Sequence, residues 1–317
     1  MRHGVFHLIN KQENKMEKIT NFDQLTSHLS QLGKRKRVAV VCASDSSTQN
    51  AVAKAIREGF AEAVFVGRKS DVEGNEEIQS VAQWVDYIDI DDIDEAARAA
   101  VRLVREGKAD ILMKGLINTD NLLRAVLNKE AGILPKGNAL THITASYIPG
   151  FPRMLFFTDA AVIPYPTHEQ RVEQVRYVAK LCRDFGIAEP KISLIHCTEK
   201  PNGKFFPFTE RYAEIISQAE AGDFGPCVVD GPLDLKTSCC KESLDKKGIH
   251  STLDGQADAL VFPDIEAGNV FYKTITLFAN AETAGMLAGT LAPVVLTSRS
   301  DSLACKYCSL AVAAINA

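Results

Sequence analysis

Residues 257–273 read ADALVFPDIEAGNVFYK, and this stretch decides the fold class. Ala259, Leu260, Val261 and Phe262 form an apolar run of strand length. Pro263 ends it, because proline has no N–H for a sheet ladder. Small and acidic residues follow (Asp264, Glu266, Ala267, Gly268, Asn269) and read as a polar turn before a helix over 270–280. A strand ending in such a turn is the βα unit of a parallel sheet. There, backbone N–H groups and the helix dipole can receive an anion. An ordinary βα connection has the same pattern.

Working outward, the first third of the chain alternates the two periodicities. Apolar strands are expected at 37–43, 63–67, 85–90 and 109–115, with helices between them. Asn21 can cap the first helix, whose Phe22, Leu25 and Leu29 share one face. The oxygens of Asp45, Ser46, Ser47 and Thr48 can cap the second. This alternation predicts a parallel sheet with helices on both faces. Neither G-x-G-x-x-G after the first strand nor G-x-x-x-x-G-K-[ST] anywhere is present, which counts against a Rossmann dehydrogenase and a P-loop NTPase.

The alternation breaks at 140–162, where strands 140–148 and 153–162 are joined by Pro149, Gly150 and Pro152 and should pair antiparallel. A long helix (169–185), a strand (191–197), an exposed and mobile loop (200–210), a helix (212–221) and a strand (227–235) follow, then a poorly defined helix (238–247). Beyond the opening stretch, 283–289 is rich in small residues and suits close packing of a helix on a sheet. A strand at 293–298 leads to Ser302, a natural cap for a last apolar helix.

At 317 residues, 46% apolar and 24% charged, the composition is that of a soluble globular protein of one large or two modest domains. A net charge of −4 gives no drive toward nucleic acid or anionic lipid. No apolar run approaches the ~20 residues of a membrane span, and 5–9 is too short for a secretory signal. Eight scattered cysteines suit reduced thiols in the cytoplasm. Cys305-x-x-Cys308 is a single pair, whereas a zinc site wants about four ligands. Residues 1–16 differ from the rest: either they are a frayed extension or Met16 is the initiator.

Three places can carry chemistry. Lys114, before Asn118 and Thr119 at a helix start, is either a phosphate clamp or a solvated loop lysine. His142 follows Thr141 within a strand, where a structural role competes with substrate binding. Ser298, Arg299 and Asp301 between a strand and a helix form an anion-binding and acid/base cluster, or only a helix cap with a surface ion pair.

Taken in order, KGLINT (114–119), TH (141–142), PT (166–167) before a long helix, DGPL (230–233), PDIEAGNVFYK (263–273) and SRSDS (298–302) change that balance. Together they resemble the phosphate acetyltransferase/phosphate butyryltransferase family, in wording closest to the butyryltransferase branch. The resemblance implies an α/β, two-domain isocitrate/isopropylmalate dehydrogenase-like fold with a cleft between the domains. Domain I would hold 17–142 and 292–317, and domain II, inserted, 143–291. The implied reaction is reversible transfer of a short acyl group, butyryl favoured, from acyl-CoA to phosphate. Coenzyme A and phosphate are then substrates, with no bound cofactor and no metal.

By the resemblance, Ser298 and Arg299 match the family's serine–arginine step and serve the oxyanion and the phosphate. The acetyltransferase pattern is SRG with an acid further on, roughly where this chain has Cys305. Asp301 is therefore the base by proximity, and another carboxylate remains an alternative. Asp264, Glu266, Asn269 and Lys273 would line one side of the cleft, with Lys114, Asn118 and Thr119 opposite and His142 as a further substrate contact. A cytoplasmic homodimer or higher homo-oligomer is implied, with no nucleic-acid or membrane partner. The alternatives are a phosphate acetyltransferase and an acyl carrier protein:phosphate acyltransferase, for which the sequence has no basic docking patch. More distant is a NAD- and metal-dependent decarboxylating dehydrogenase, which would need more aspartates than Asp258 and Asp264. A non-catalytic module is the last, against which the intact polar steps argue.

Overall fold

The computed structural model describes residues 17–298 and 301–317. Helix and strand first alternate as α1 (Phe22–Gln31), β1 (Lys36–Val41), α2 (Ser46–Arg57), β2 (Ala61–Gly67), a short α3 (Glu76–Gln79), β3 (Val85–Asp89), α4 (Ile93–Arg105), β4 (Ile111–Lys114) and α5 (Thr119–Val126). Then come β5 (Thr141–Tyr147), β6 (Leu155–Thr158), α6 (His168–Asp184), β7 (Lys191–Ile195), α7 (Tyr212–Glu220) and β8 (Val228–Leu233). The chain closes with α8 (Leu235–Cys239), α9 (Lys241–Lys247), β9 (Ala259–Val261), α10 (Ile265–Phe278), β10 (Glu282–Ala288), β11 (Val294–Val295) and α11 (Leu303–Asn316). The expected caps form: Asn21, Asp45 and Ser302 each accept a backbone N–H of their helix's first turn.

Among the described residues the strands make one sheet in the order β3-β2-β1-β4-β11-β10-β5-β6-β9-β7-β8. The first five are mutually parallel, and so are the last four. Between them, β10 runs antiparallel to β11 and β5, and β5 runs antiparallel to β6. One apolar layer, built around α2, α6, α7 and α11, covers one face across both parallel halves. On the other face the apolar cover splits into two clusters, one under α4 and α5 and one under α10. That split leaves room for a cleft.

Four sequence expectations are corrected. The helix expected from 270 begins at Ile265, because Asp264 accepts the Ala267 N–H at 2.8 Å and starts it five residues early. The small-residue segment 283–289 is, up to Ala288, itself a strand, β10, paired along its length with β5. Its glycine and alanines let α11 pack closely, so the packing expectation holds with the roles of helix and strand exchanged. The strands expected over 153–162 and 293–298 are cut to Leu155–Thr158 and Val294–Val295. The loop at 200–210 is partly pinned: Thr209 Oγ1 accepts the Asn202 N–H at 2.9 Å, and Phe206 and Phe208 pack on the His196 ring.

Candidate active site

Strands β4 and β11 are neighbours, with Met113 opposite Val295, so their carboxyl ends bring Lys114 beside Thr297. Lys114 is buried, and its ammonium donates to the carbonyls of Gly115 (3.2 Å) and Thr297 (3.5 Å). It is not the solvated loop lysine that spacing alone allows. Gly115 is required here: a Cβ would stand 2.5 Å from the Cys42 carbonyl oxygen on the adjoining turn.

Just past β11 the chain folds back on itself. Asp301 Oδ2 accepts the Ser298 N–H at 2.7 Å, and the Asp301 N–H donates to the Ser298 carbonyl at 3.2 Å. This reciprocal turn sets the serine and the carboxylate together at the start of α11. Arg299, the expected phosphate ligand between them, lies outside the described residues.

Ser298 and Asp301 open onto a cleft of about 160 Å³. Asn269 and Lys273 of α10 form its opposite wall, and His142 of β5 contributes from the central strands. The cleft sits at the split in the apolar cover: Leu296 comes from one cluster, Ala160 and Tyr272 from the other. A larger open concavity of about 600 Å³ adjoins Lys18, Arg153, Lys191 and Asp258. It lies at the amino ends of β7 and β9, away from these groups, and its charges include a Lys18–Asp258 ion pair.

Two groups missed in the sequence shape this cleft. Asp159, buried just past β6, accepts five bonds: from Thr141 Oγ1, and from the backbone N–H groups of His142, Ala161, Val162 and Ile163, at 2.8–3.2 Å. It turns the chain at 159–163 out of the sheet and sets Ala160 and Ala161 on the cleft wall. Gly268 of α10 packs directly on that turn. A Cβ there would fall inside the contact radius of the Asp159 carbonyl, 2.9 Å from its carbon. The glycine of the IEAGN step thus allows α10 its approach. The signal was present in the sequence as a glycine inside a helical pattern.

His142 lies against Gly285 of β10, where a Cβ would be 2.5 Å from Nε2. Its Nδ1 is 3.3 Å from Thr144 Oγ1. Burial pushes its pKa below the ordinary imidazole value, against the opposing pull of the Asp159 and Asp301 carboxylates. Cys305, in the first turn of α11, also faces the cleft; burial and Asp301 push its thiol up to about 11.

The structure therefore brings together Ser298, Asp301, His142, Asn269 and Lys273, with Lys114 behind Thr297. Asn269 Nδ2 also donates to the Ala160 carbonyl at 3.0 Å, tying α10 to the wall. Four expected residues do not line this cleft. Asp264 is the cap of α10, and Glu266 is exposed and accepts the Tyr165 hydroxyl at 3.2 Å. Asn118 and Thr119 are exposed at the start of α5. The DGPL step is structural: Asp230 accepts from Ser251 Oγ at 2.6 Å and from the Thr252 N–H at 3.1 Å, on an edge strand.

One large mixed α/β sheet, parallel at both ends with antiparallel strands between and a cleft beside them, is the dehydrogenase-like class of fold. A 4-hydroxythreonine-4-phosphate dehydrogenase from Klebsiella pneumoniae shares it at a TM-score of 0.51 and 11% identity, over 89% of this chain and 100% of that one. A branched-chain phosphotransacylase from Enterococcus faecalis V583 is much nearer, with a TM-score of 0.77 and 31% identity over 89% of this chain and 98% of that one. Phosphate butyryltransferase of Clostridium acetobutylicum is 39% identical over 287 residues, 88% of this chain and 93% of the relative. Phosphate acetyltransferase of Thermotoga maritima is 36% identical over 89% of this chain and 96% of the relative. The family described as "Phosphate acetyl/butaryl transferase" matches residues 91–314. The chain belongs to that family and is an acyltransferase. The dehydrogenase alternative is not favoured: the likeness to such enzymes extends to the fold alone.

Proposed function

We propose that this cleft transfers a short acyl group, butyryl favoured, between coenzyme A and inorganic phosphate. The observation that carries the reading is the Ser298–Asp301 turn, which holds a hydroxyl and a carboxylate together facing Lys273 and Asn269. In the acyl-phosphate-consuming direction, Asp301 takes the proton of the CoA thiol, because the thiolate is the nucleophile. The thiolate attacks the acyl carbonyl, the Ser298 hydroxyl donates to the oxyanion, and the C–O bond to phosphate breaks as the leaving phosphate takes the proton from Asp301. In the other direction a phosphate oxygen gives its proton to Asp301 and attacks the thioester, the C–S bond breaks, and the departing thiolate takes that proton from Asp301.

Lys273 and Arg299 hold the phosphate, with Lys114 adding positive potential behind Thr297. His142, kept neutral, serves as a hydrogen-bonding wall to the substrate. No step needs a metal or a bound cofactor. We also read 17–142 with 292–317, and 143–291, as two domains, which the switch to antiparallel pairing at β10–β5 supports. A cytoplasmic homodimer or higher homo-oligomer completes the proposal. Eight free thiols suit that compartment, and the exposed Leu277 and Phe278 of α10 would suit a partner face. Light scattering that finds a monomer at micromolar concentration would remove the oligomer.

The test is thiol release from acetyl-, propionyl- and butyryl-CoA, with and without phosphate and without added metal. Phosphate-dependent release, fastest with butyryl-CoA, is expected. Faster release with acetyl-CoA would move the chain to the acetyl branch, and no release with any of them would sink the transfer reading.

A further inference from the structure

Part of the cleft has no task in the transfer steps. From Asp301, the face of α11 carries Cys305 and Ser309 at successive four-residue steps, and burial rises along it: Ser309 is 1% exposed. Ser309 closes the inner end, its Oγ accepting the Gly285 N–H at 3.1 Å. The Tyr272 ring faces the same space from α10.

Apart from the His142 ring, whose Nε2 lies against Gly285, the polar side chains at this inner end are paired. Thr283 Oγ1 donates to the Tyr272 hydroxyl (3.3 Å), and the Cys305 thiol donates to the Thr283 carbonyl (3.5 Å). What remains to meet a ligand is ring, methylene and sulfur surface, with Gly285 offering no side chain. Such a surface favours hydrocarbon.

We propose that this inner end is the acyl-tail subsite and that Cys305 sets the chain length it accepts; the inference rests on the transfer reading above. The dimensions agree. Asp301 precedes α11 and Cys305 is the third residue of that helix, both on the wall of a cleft of about 160 Å³. Beyond its carbonyl carbon a butyryl group has three C–C bonds of about 1.5 Å, reaching roughly 4 Å when staggered. With the carbonyl beside Ser298 and Asp301, a four-carbon tail ends against Cys305, whereas an acetyl methyl stops short of it. The neutral thiol adds no charge for the tail to desolvate.

The experiment measures phosphate-dependent kcat/KM for acetyl-, butyryl- and hexanoyl-CoA in the full chain and in two variants. Cys305→Leu fills the space and should lower the butyryl-to-acetyl ratio by about tenfold or more, the usual discrimination for apolar tail groups. Cys305→Ala, a milder change, opens the space and should raise the hexanoyl-to-butyryl ratio. Ratios that stay unmoved in both variants, while the unsubstituted chain turns over, overturn the subsite and leave the transfer reading standing. No turnover by the unsubstituted chain defeats both.

Discussion

Gly268→Ala sets two effects against each other. Inside an exposed helix the change would add about 1 kcal/mol of stability, because alanine has less backbone freedom to lose. Gly268 is buried, however, against the turn that follows β6. An added Cβ would lie 2.9 Å from the Asp159 carbonyl carbon and 3.3 Å from Ala160 Cα, and nearer still to the Asp159 oxygen. Carbon atoms pack best at about 3.5–4.0 Å, so α10 must retreat by roughly 1 Å. Asp159 cannot yield instead, because its five hydrogen bonds fix the turn. Overpacking of this kind costs about 1–3 kcal/mol, which outweighs the gain in propensity. The retreat also carries Asn269, Tyr272 and Lys273 out of the cleft, and a misplacement of about 1 Å can cost 100-fold in rate. Thermal unfolding and phosphate-dependent thiol release should therefore both fall. Gly74→Ala, where a Cβ meets nothing within 4 Å, serves as the control and should change neither. A Gly268→Ala protein that melts higher than the parent and keeps its turnover would refute the reasoning.

Asp301→Asn removes the proposed base and should lower turnover by about 10²–10⁴-fold with the fold intact; turnover within a few-fold of the parent would reassign the base. Ser298→Ala should lower kcat by about 10²-fold or more if its hydroxyl meets the oxyanion, and an unchanged kcat would remove it from that role. Asp159→Asn halves the accepting capacity of a buried group with five donors, so the urea midpoint should drop by the equivalent of about 3 kcal/mol; an unshifted midpoint would deny Asp159 its structural place. Burial depresses the pKa of His142, His168 and His196. Below about pH 6.5 the unfolded chain then binds more protons than the native one, so stability is full above that pH and falls as pH drops. His142→Gln should shrink the loss between pH 7.5 and 5.5 in urea titrations, and an identical loss would show that His142 contributes none of it.

Much of this was legible in residue order. Period-two and period-3.6 patterns located β1 to β4 and their helices because each of those elements buries one local face, and Asn21, Asp45 and Ser302 announced helix starts through hydrogen bonds spanning three residues. The stretch ending at Lys273 was readable as strand, proline stop and helix, and its motif gave the family. The helix start within it was misread, because glycine and acidic residues usually signal a turn, and only the Asp264 cap and the packing on Asp159 make them helical. Segment 283–289 has weak local preference, and its pairing with β5, about 140 residues away in the chain, makes it a strand. Lys114 reads as a surface residue by type, yet the adjacency of β4 and β11 buries it among carbonyls. Nor could spacing foretell that Asp264 and Glu266 would stand outside the cleft while Tyr272, Gly285 and Cys305 entered it. Local sequence carries the preferences of single elements and their caps. Which side chains share a cleft depends on how closely backbones distant in sequence approach, and here glycines and one buried carboxylate set that distance.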